Sequence, residues 1–240
     1  AQTSHMTIAR WKLADSVNGG FYYCISRCVR QSWLCGLDPE SGKNYEYRKA
    51  WIEQRILYLS QAFAVDVYSY AVLSNHYHVV VELEPQRVRD WSDSDVVRRW
   101  LWVSCPRTSE KMRSKRLSLL SDPVYLQEIR RRLGDLSWFM RNINEPLARM
   151  SNKEDGCKGH FWDGRYKSIA LLGEVAVLSC MSYVDLNPAS AGIAKRLEQL
   201  PFTSIRVRSR SSCALSCALP PLEKLSISLV EYRVLLEWIL

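Results

Sequence analysis

Two alternating runs constrain this chain more than any other feature. Residues 65–73 read VDVYSYAVL and residues 76–83 read HYHVVVEL, with only Ser74-Asn75 between them and Pro85 closing the second. Apolar residues at every second position are the signature of a strand with one face buried. Two strands joined by so short a connection can pair only as an antiparallel hairpin. A third strand is expected over 21–29 (FYYCISRCV), after Gly19-Gly20, and a fourth over 166–172 (YKSIALL). Between them the pattern changes to a helical one. Residues 45–63 carry apolar side chains at 51, 52, 56, 59 and 63. Ser92-Asp93, Asp122-Pro123 and Asp135 are helix-start signals, predicting helices to about 102, 133 and 150. A further helix is expected over 174–186, stopped by Asn187-Pro188, and a last one over 228–240. Residues 37–44 and 152–164 read as loops, 105–118 as basic and irregular, and 206–221 as a linker. Strands and helices interspersed around a hairpin give an α+β fold with a mostly antiparallel sheet.

The charge is unevenly placed. The chain carries 33 Lys and Arg against 25 Asp and Glu, a net +8. Ten basic residues (98, 99, 107, 111, 113, 115, 116, 130, 131 and 132) and three acidic ones (110, 122 and 128) lie between Arg98 and Arg132, a net +7. Trp100, Trp102 and Tyr125 are interleaved. Cations for phosphates and flat rings for unpaired bases are what a nucleic-acid surface needs, although a solvated helical face has the same composition. No apolar run approaches the ~20 residues of a membrane span, and no signal peptide is evident. Ala1–Met6 end in Ser-His-Met and read as a cloning scar, so His5 is set aside. Eight cysteines without paired CxxC spacing argue against a zinc site or a disulfide framework, and read as reduced thiols of a cytosolic protein.

Three short segments carry chemistry. In His76-Tyr77-His78 the two imidazoles, at i and i+2 of a strand, project from one face and can grip one divalent cation. In Tyr183-Val-Asp-Leu-Asn187, the tyrosine and asparagine lie one helical turn apart on one face. The phenol oxygen is a candidate nucleophile and the amide oxygen a candidate third ligand for Mg²⁺ or Mn²⁺. In Gly159–Lys167 (GHFWDGRYK), Arg165 and Lys167 can hold a phosphate backbone and Trp162 can stack on a base. Each segment also has a plain structural reading: half-buried histidines, a core tyrosine with a capping asparagine, and a turn into a strand.

In that order, SNHYHVVV, FWDGRYKS and SYVDLNPASAG resemble the single-tyrosine HUH transposases, most nearly the REP-associated tyrosine transposases. The resemblance runs from about residue 20 to 202, plus the SISLVEYRVLLEW segment. It implies a ferredoxin-like sandwich with the histidines on a central strand and the tyrosine on a helix. It also implies metal-dependent nicking and joining of single-stranded DNA beside hairpins, through a 5′-phosphotyrosine. By residue, the resemblance assigns Tyr183 as nucleophile and His76, His78 and Asn187 as metal ligands, with Tyr77 where the family usually has a hydrophobic residue. Residues 7–205 would be the catalytic domain and 206–240 a linker and terminal helix. A basic helical insert at about 86–150 would recognise the hairpin, with Arg98, Arg99, Arg113, Lys115, Arg116, Arg130, Arg131 and Arg132 as its DNA contacts. The partner would be single-stranded hairpin DNA, with the protein a monomer or homodimer in the bacterial cytoplasm, at the nucleoid. The alternatives are a catalytically inactive DNA- or RNA-hairpin-binding protein of the same ancestry, and an unrelated hydrolytic nuclease using the HxH pair.

Overall fold

The computed structural model describes residues 19–29, 34–37, 42–104, 109–210 and 218–240, with only the backbone of 109–111. The expected scar with His5, as well as Arg107, Cys105, Cys213, Cys217 and the middle of the expected linker (211–217), lies outside the described residues. In chain order the elements are β1 (Gly20–Arg27), α1 (Tyr47–Ser60), β2 (Val65–Val72), β3 (His76–Leu83), α2 (Arg87–Asp90), α3 (Asp93–Ser104) and α4 (Ser109–Leu120). There follow α5 (Pro123–Leu133), α6 (Leu136–Glu154), β4 (Lys167–Leu171), α7 (Glu174–Ser190), α8 (Ser204–Arg208) and α9 (Leu229–Ile239).

The sheet order is β2-β3-β1-β4 and every neighbouring pair is antiparallel. With α1 crossing from β1 to β2 and α6 preceding β4, this is the ferredoxin-like α+β arrangement. Gly19 sets the entry to β1. Its φ is +78°, and a Cβ there would stand 2.1 Å from the Leu83 carbonyl oxygen. Only glycine lets the two strands approach so closely.

Alternation sends the sheet's side chains into two cores. Tyr77, Val79 and Val81 of β3 and Cys24 of β1 pack with Ile52 and Ile56 of α1 and Phe139, Ile143 and Leu147 of α6. On the opposite face, Val80, Tyr68 and Ala71 pack with Val177, Met181 and Val184 of α7 and with Tyr232 and Leu236 of α9. A register shift between Val67 and Ser69 reverses the parity of β2. Val67 and Tyr70 therefore share the first core, while Tyr68 and Ala71 share the second.

The helix starts follow their capping residues. Asp122 accepts from the Tyr125 N–H ahead of Pro123, Asp135 from Ser137 and Trp138, and Ser228 forms a capping box with Glu231. Pro146 inside α6 has no N–H for the Asn142 carbonyl, and the half-buried Arg55 guanidinium of α1 donates to that carbonyl instead, at 3.0 Å.

Three expectations need correction. Much of the segment read as irregular over 105–118 is α4. It lacks an apolar stripe, but Met112, Lys115, Arg116 and Leu117 are good helix formers, and Leu119 anchors the end in the core. Second, α7 does not stop at Asn187-Pro188 but runs to Ser190. Proline's fixed φ suits a helix, and so near the C-terminus it forfeits a single hydrogen bond. Third, part of the expected linker is helical, as α8. The helices added between β3 and the crossover helix are α2–α5, while α6 packs directly on the sheet.

Candidate active site

The alternation that buries Tyr77 against α6 turns His76 and His78 to the face covered by α7. Their ring centroids are 4.7 Å apart. Each ring is held through Nδ1: His78 by the Tyr23 hydroxyl at 2.6 Å, His76 by the Asn75 side-chain oxygen. Nε2 of His78 is buried and has no hydrogen-bond partner among the described residues. Burying a polar nitrogen unsatisfied costs about 1–3 kcal/mol, so an orphan aimed into a site is a ligand waiting for a partner. Burial, followed by the neighbouring cations, lowers the proton affinity of both rings. His76 falls to about 4, through burial and Arg27. His78 falls to about 3, through burial, His76 and Arg27. Both are neutral at physiological pH and present lone pairs, the form a metal requires.

Tyr183 projects from α7 onto this pair. Its ring lies edge-on to His78, centroids 5.8 Å apart, and edge-on to Tyr23 at 6.4 Å. It is 54% exposed, so its phenol is open to a substrate. Asn187, one turn later on α7, is half-buried, and its side chain makes no hydrogen bond among the described residues. Between them Asp185 points the other way, into the core. It accepts from Ser69 (3.2 Å), Ser204 (2.7 Å), the Ile205 N–H (2.9 Å) and Tyr232 (2.8 Å). This carboxylate fastens α7 to β2, α8 and α9 and fixes the face that Tyr183 presents. His76, His78 and Tyr183 thus lie together, with Asn187 one turn further along α7; neutral imidazoles and an amide oxygen are donors of the kind a divalent cation takes.

Two neighbours carry no sequence signal of their own. Tyr23 and Arg27 lie in a strand-like run, and only strand register brings them in. Ile25 pairs opposite His78 and Arg27 opposite His76. Burial, then Tyr183, raises the Tyr23 phenol well above its ordinary value, keeping it a neutral hydrogen-bonding group. Beside Arg27, a groove of about 310 Å³ is lined by Ile25, Asp163, Gly164, Arg165 and Lys167. Lys167 is opposite Ile25 in β4, completing a row across the sheet from His78.

The other residues singled out from sequence are placed differently. Trp162 is half-buried, its indole donating to the Asn144 carbonyl and its ring packed edge-on against Tyr77 and Phe161. Arg98 pairs with Asp95, Arg130 with Asp93, Arg131 with Glu128 and Asp135, and Arg132 with Glu128. Arg99 stacks on Trp91 and Arg132 on Trp138. Arg113, Lys115 and Arg116 are exposed on α4. At the far end of β3, Asp66, Glu82 and Glu84 cluster closely enough to suit a cation. Arg87 already grips Asp66 through two nitrogens and Glu84 through a third contact, and Lys224 reaches all three acids. With two cations against three carboxylates, that cluster is an ion-paired clamp on the hairpin.

No protein-family model matches the chain, and no curated protein matches it. Among solved structures, the chain is similar to a REP-associated tyrosine transposase bound to a REP hairpin. The TM-score is 0.47 and the sequence identity 14%, over 83% of this chain and 85% of that one. For function, the residues of the site itself carry the argument. No helix among the described residues is long and apolar enough to cross a membrane.

Proposed function

We propose that this protein nicks and rejoins single-stranded DNA beside hairpins, with Tyr183 as its covalent nucleophile. The observation that carries the reading is an exposed phenol set against a pair of neutral histidines, one of which has a buried, unpartnered Nε2. A cation held by Nε2 of His76 and His78 and the amide oxygen of Asn187, Mg²⁺ or Mn²⁺ by this reading, would supply positive charge for a scissile phosphate.

The chain's own residues do the rest. Tyr23 and Asn75 engage the two imidazoles by their Nδ1 atoms, which leaves both Nε2 atoms to carry the lone pairs for a cation. Tyr183 gives up its phenol proton to solvent and its oxygen bonds to phosphorus. The P–O3′ bond breaks, and the departing oxygen takes a proton to become a 3′-hydroxyl. A 5′-phosphotyrosine remains. Attack by a 3′-hydroxyl reverses these changes and rejoins a strand without an external energy source.

The test is a denaturing gel of labelled hairpin DNA with single-stranded flanks, incubated with protein and Mn²⁺ or Mg²⁺. Label should migrate with the protein and be lost in Tyr183→Phe. Retarded DNA on a native gel with no covalent product would favour a binding-only protein. Free 5′-phosphate ends indifferent to Tyr183→Phe would mark a hydrolytic nuclease.

A further inference from the structure

Tyr183 stands at the His78 end of the histidine pair and Arg27, which lines the groove, at the His76 end, and that placement bears on the direction of the strand. Along β1, Tyr23 touches Tyr183, Ile25 is opposite His78, and Arg27 is opposite His76 and lines the groove. Four residues of strand, about 13 Å, separate the Tyr23 end from the Arg27 end. Three cations from two stretches of chain converge there: Arg27 ends β1, Arg165 precedes β4 and Lys167 begins it. Arg27, Arg165 and Lys167 are all exposed, and none forms an ion pair with a carboxylate among the described residues. Asp163 is the single acid of the lining, so the groove carries a net two positive charges. The arginines of α3 and α5 differ: Arg98, Arg130, Arg131 and Arg132 are tied to Asp93, Asp95, Glu128 and Asp135, and Arg99 is held by the Gln61 carbonyl and the Trp91 ring.

Resting on the nickase reading, we infer that this groove binds the backbone phosphates immediately 5′ of the cut, and so holds the strand that leaves with the 3′-hydroxyl. In phosphoryl transfer the attacking and leaving oxygens stand roughly in line on opposite sides of phosphorus. With Tyr183 at the His78 end of the histidine pair, O3′ and the nucleotides before it depart toward the His76 end, where Arg27 stands with Arg165 and Lys167 lining the same groove. Arginine's planar donor fork suits two oxygens of one phosphodiester, and Lys167 adds a point charge. A held 3′-hydroxyl stays in position to reverse the cut.

The experiment places one neutral methylphosphonate at a time along a hairpin oligonucleotide that forms the Tyr183 adduct, and measures adduct formation and rejoining. In the wild type, substitution at the first or second phosphate 5′ of the cut should slow cleavage about tenfold, the weight of one charge-assisted contact. In Arg27→Ala the native strand should be cut and rejoined more slowly by a similar factor, and the methylphosphonate should bring little further loss. Arg27→Lys should recover part of it. A penalty confined to phosphates 3′ of the cut, or one undiminished in a folded Arg27→Ala, overturns the inference while leaving the nickase intact. Absence of any Tyr183 adduct in the wild type overturns the nickase reading and this inference together.

Discussion

Replacing Asp185 by alanine should loosen the helix that carries the candidate nucleophile. The carboxylate is fully buried and accepts four hydrogen bonds. Burial raises its proton affinity, opposed first by the Ile205 N–H and then by Ser204 and Tyr232. On its loss the Ser69 hydroxyl can turn to the Met181 carbonyl, 3.4 Å away. Ser204 sits in the first turn of α8 and can reach its own backbone. The Ile205 N–H has no such recourse, and the Tyr232 hydroxyl keeps only the Ser182 side chain beside it. A buried N–H left unmade and a buried hydroxyl moved from a carboxylate to a neutral partner cost about 2–6 kcal/mol together, less what is regained by no longer burying a carboxylate. A net destabilisation of about 3 kcal/mol is expected. With a urea slope of about 3 kcal/mol/M, the unfolding midpoint should fall by roughly 1 M. Under native conditions, adduct formation by the folded fraction should also fall, because α7 loses its tie to β2, α8 and α9. Asp185→Asn keeps an acceptor for Ile205 and should lose about half as much. A midpoint shift below about 0.3 M for Asp185→Ala would refute the reasoning, since it would mean that the four donors find other partners.

Three further outcomes follow from the packing. Tyr77→Phe strands the Asn144 side-chain oxygen, which now accepts from the Tyr77 hydroxyl at 2.7 Å; it should cost about 1–2 kcal/mol in urea unfolding without changing adduct formation, because Tyr77 faces the opposite core. Gly19→Ala drives a Cβ into the Leu83 carbonyl at positive φ and should lower stability by about 2–4 kcal/mol, read as a depressed Tm. The metal-free protein should lose stability on acidification. His76 and His78 stay neutral in the fold down to about 4 and 3, while the unfolded chain takes up those protons near pH 6.5. The contribution is therefore complete above pH 6.5 and shrinks as pH falls toward 4. Between pH 7 and 4.5 it should amount to about 4 kcal/mol, with the partly open His76 counted at about half for solvent screening. A His76→Asn/His78→Asn variant with the same pH slope as the wild type would contradict this.

What the sequence disclosed depended on how local the signal was. The hairpin, its turn and the facing imidazoles follow from a period of two within nineteen consecutive residues, 65–83. Asp122, Asp135 and Ser228 announce their helices because a cap acts within one turn. Tyr23 and Arg27 were not legible as site residues, since their place depends on the pairing of β1 with a strand some fifty residues later. The helix α4 was hidden because its cations leave no apolar stripe to read. The charge count over residues 98–132 was accurate, yet it could not reveal that Glu128 holds Arg131 and Arg132, or that Asp93 holds Arg130.

That internal pairing has a consequence for the ionic atmosphere of a bound strand. A cation already matched to a carboxylate releases few counterions from DNA, because it must give up one partner to take another. On a single strand the logarithm of the binding constant falls by about 0.7 for each logarithmic step in salt per phosphate neutralised. Grip by Arg27, Arg165 and Lys167 alone corresponds to a slope of about −2, whereas full engagement of the ten basic residues over 98–132 would approach about −7. With Arg98, Arg130, Arg131 and Arg132 already matched, a slope near −2 would mark grip by the groove alone, and each exposed cation of α4 that joins it would steepen the slope by about 0.7.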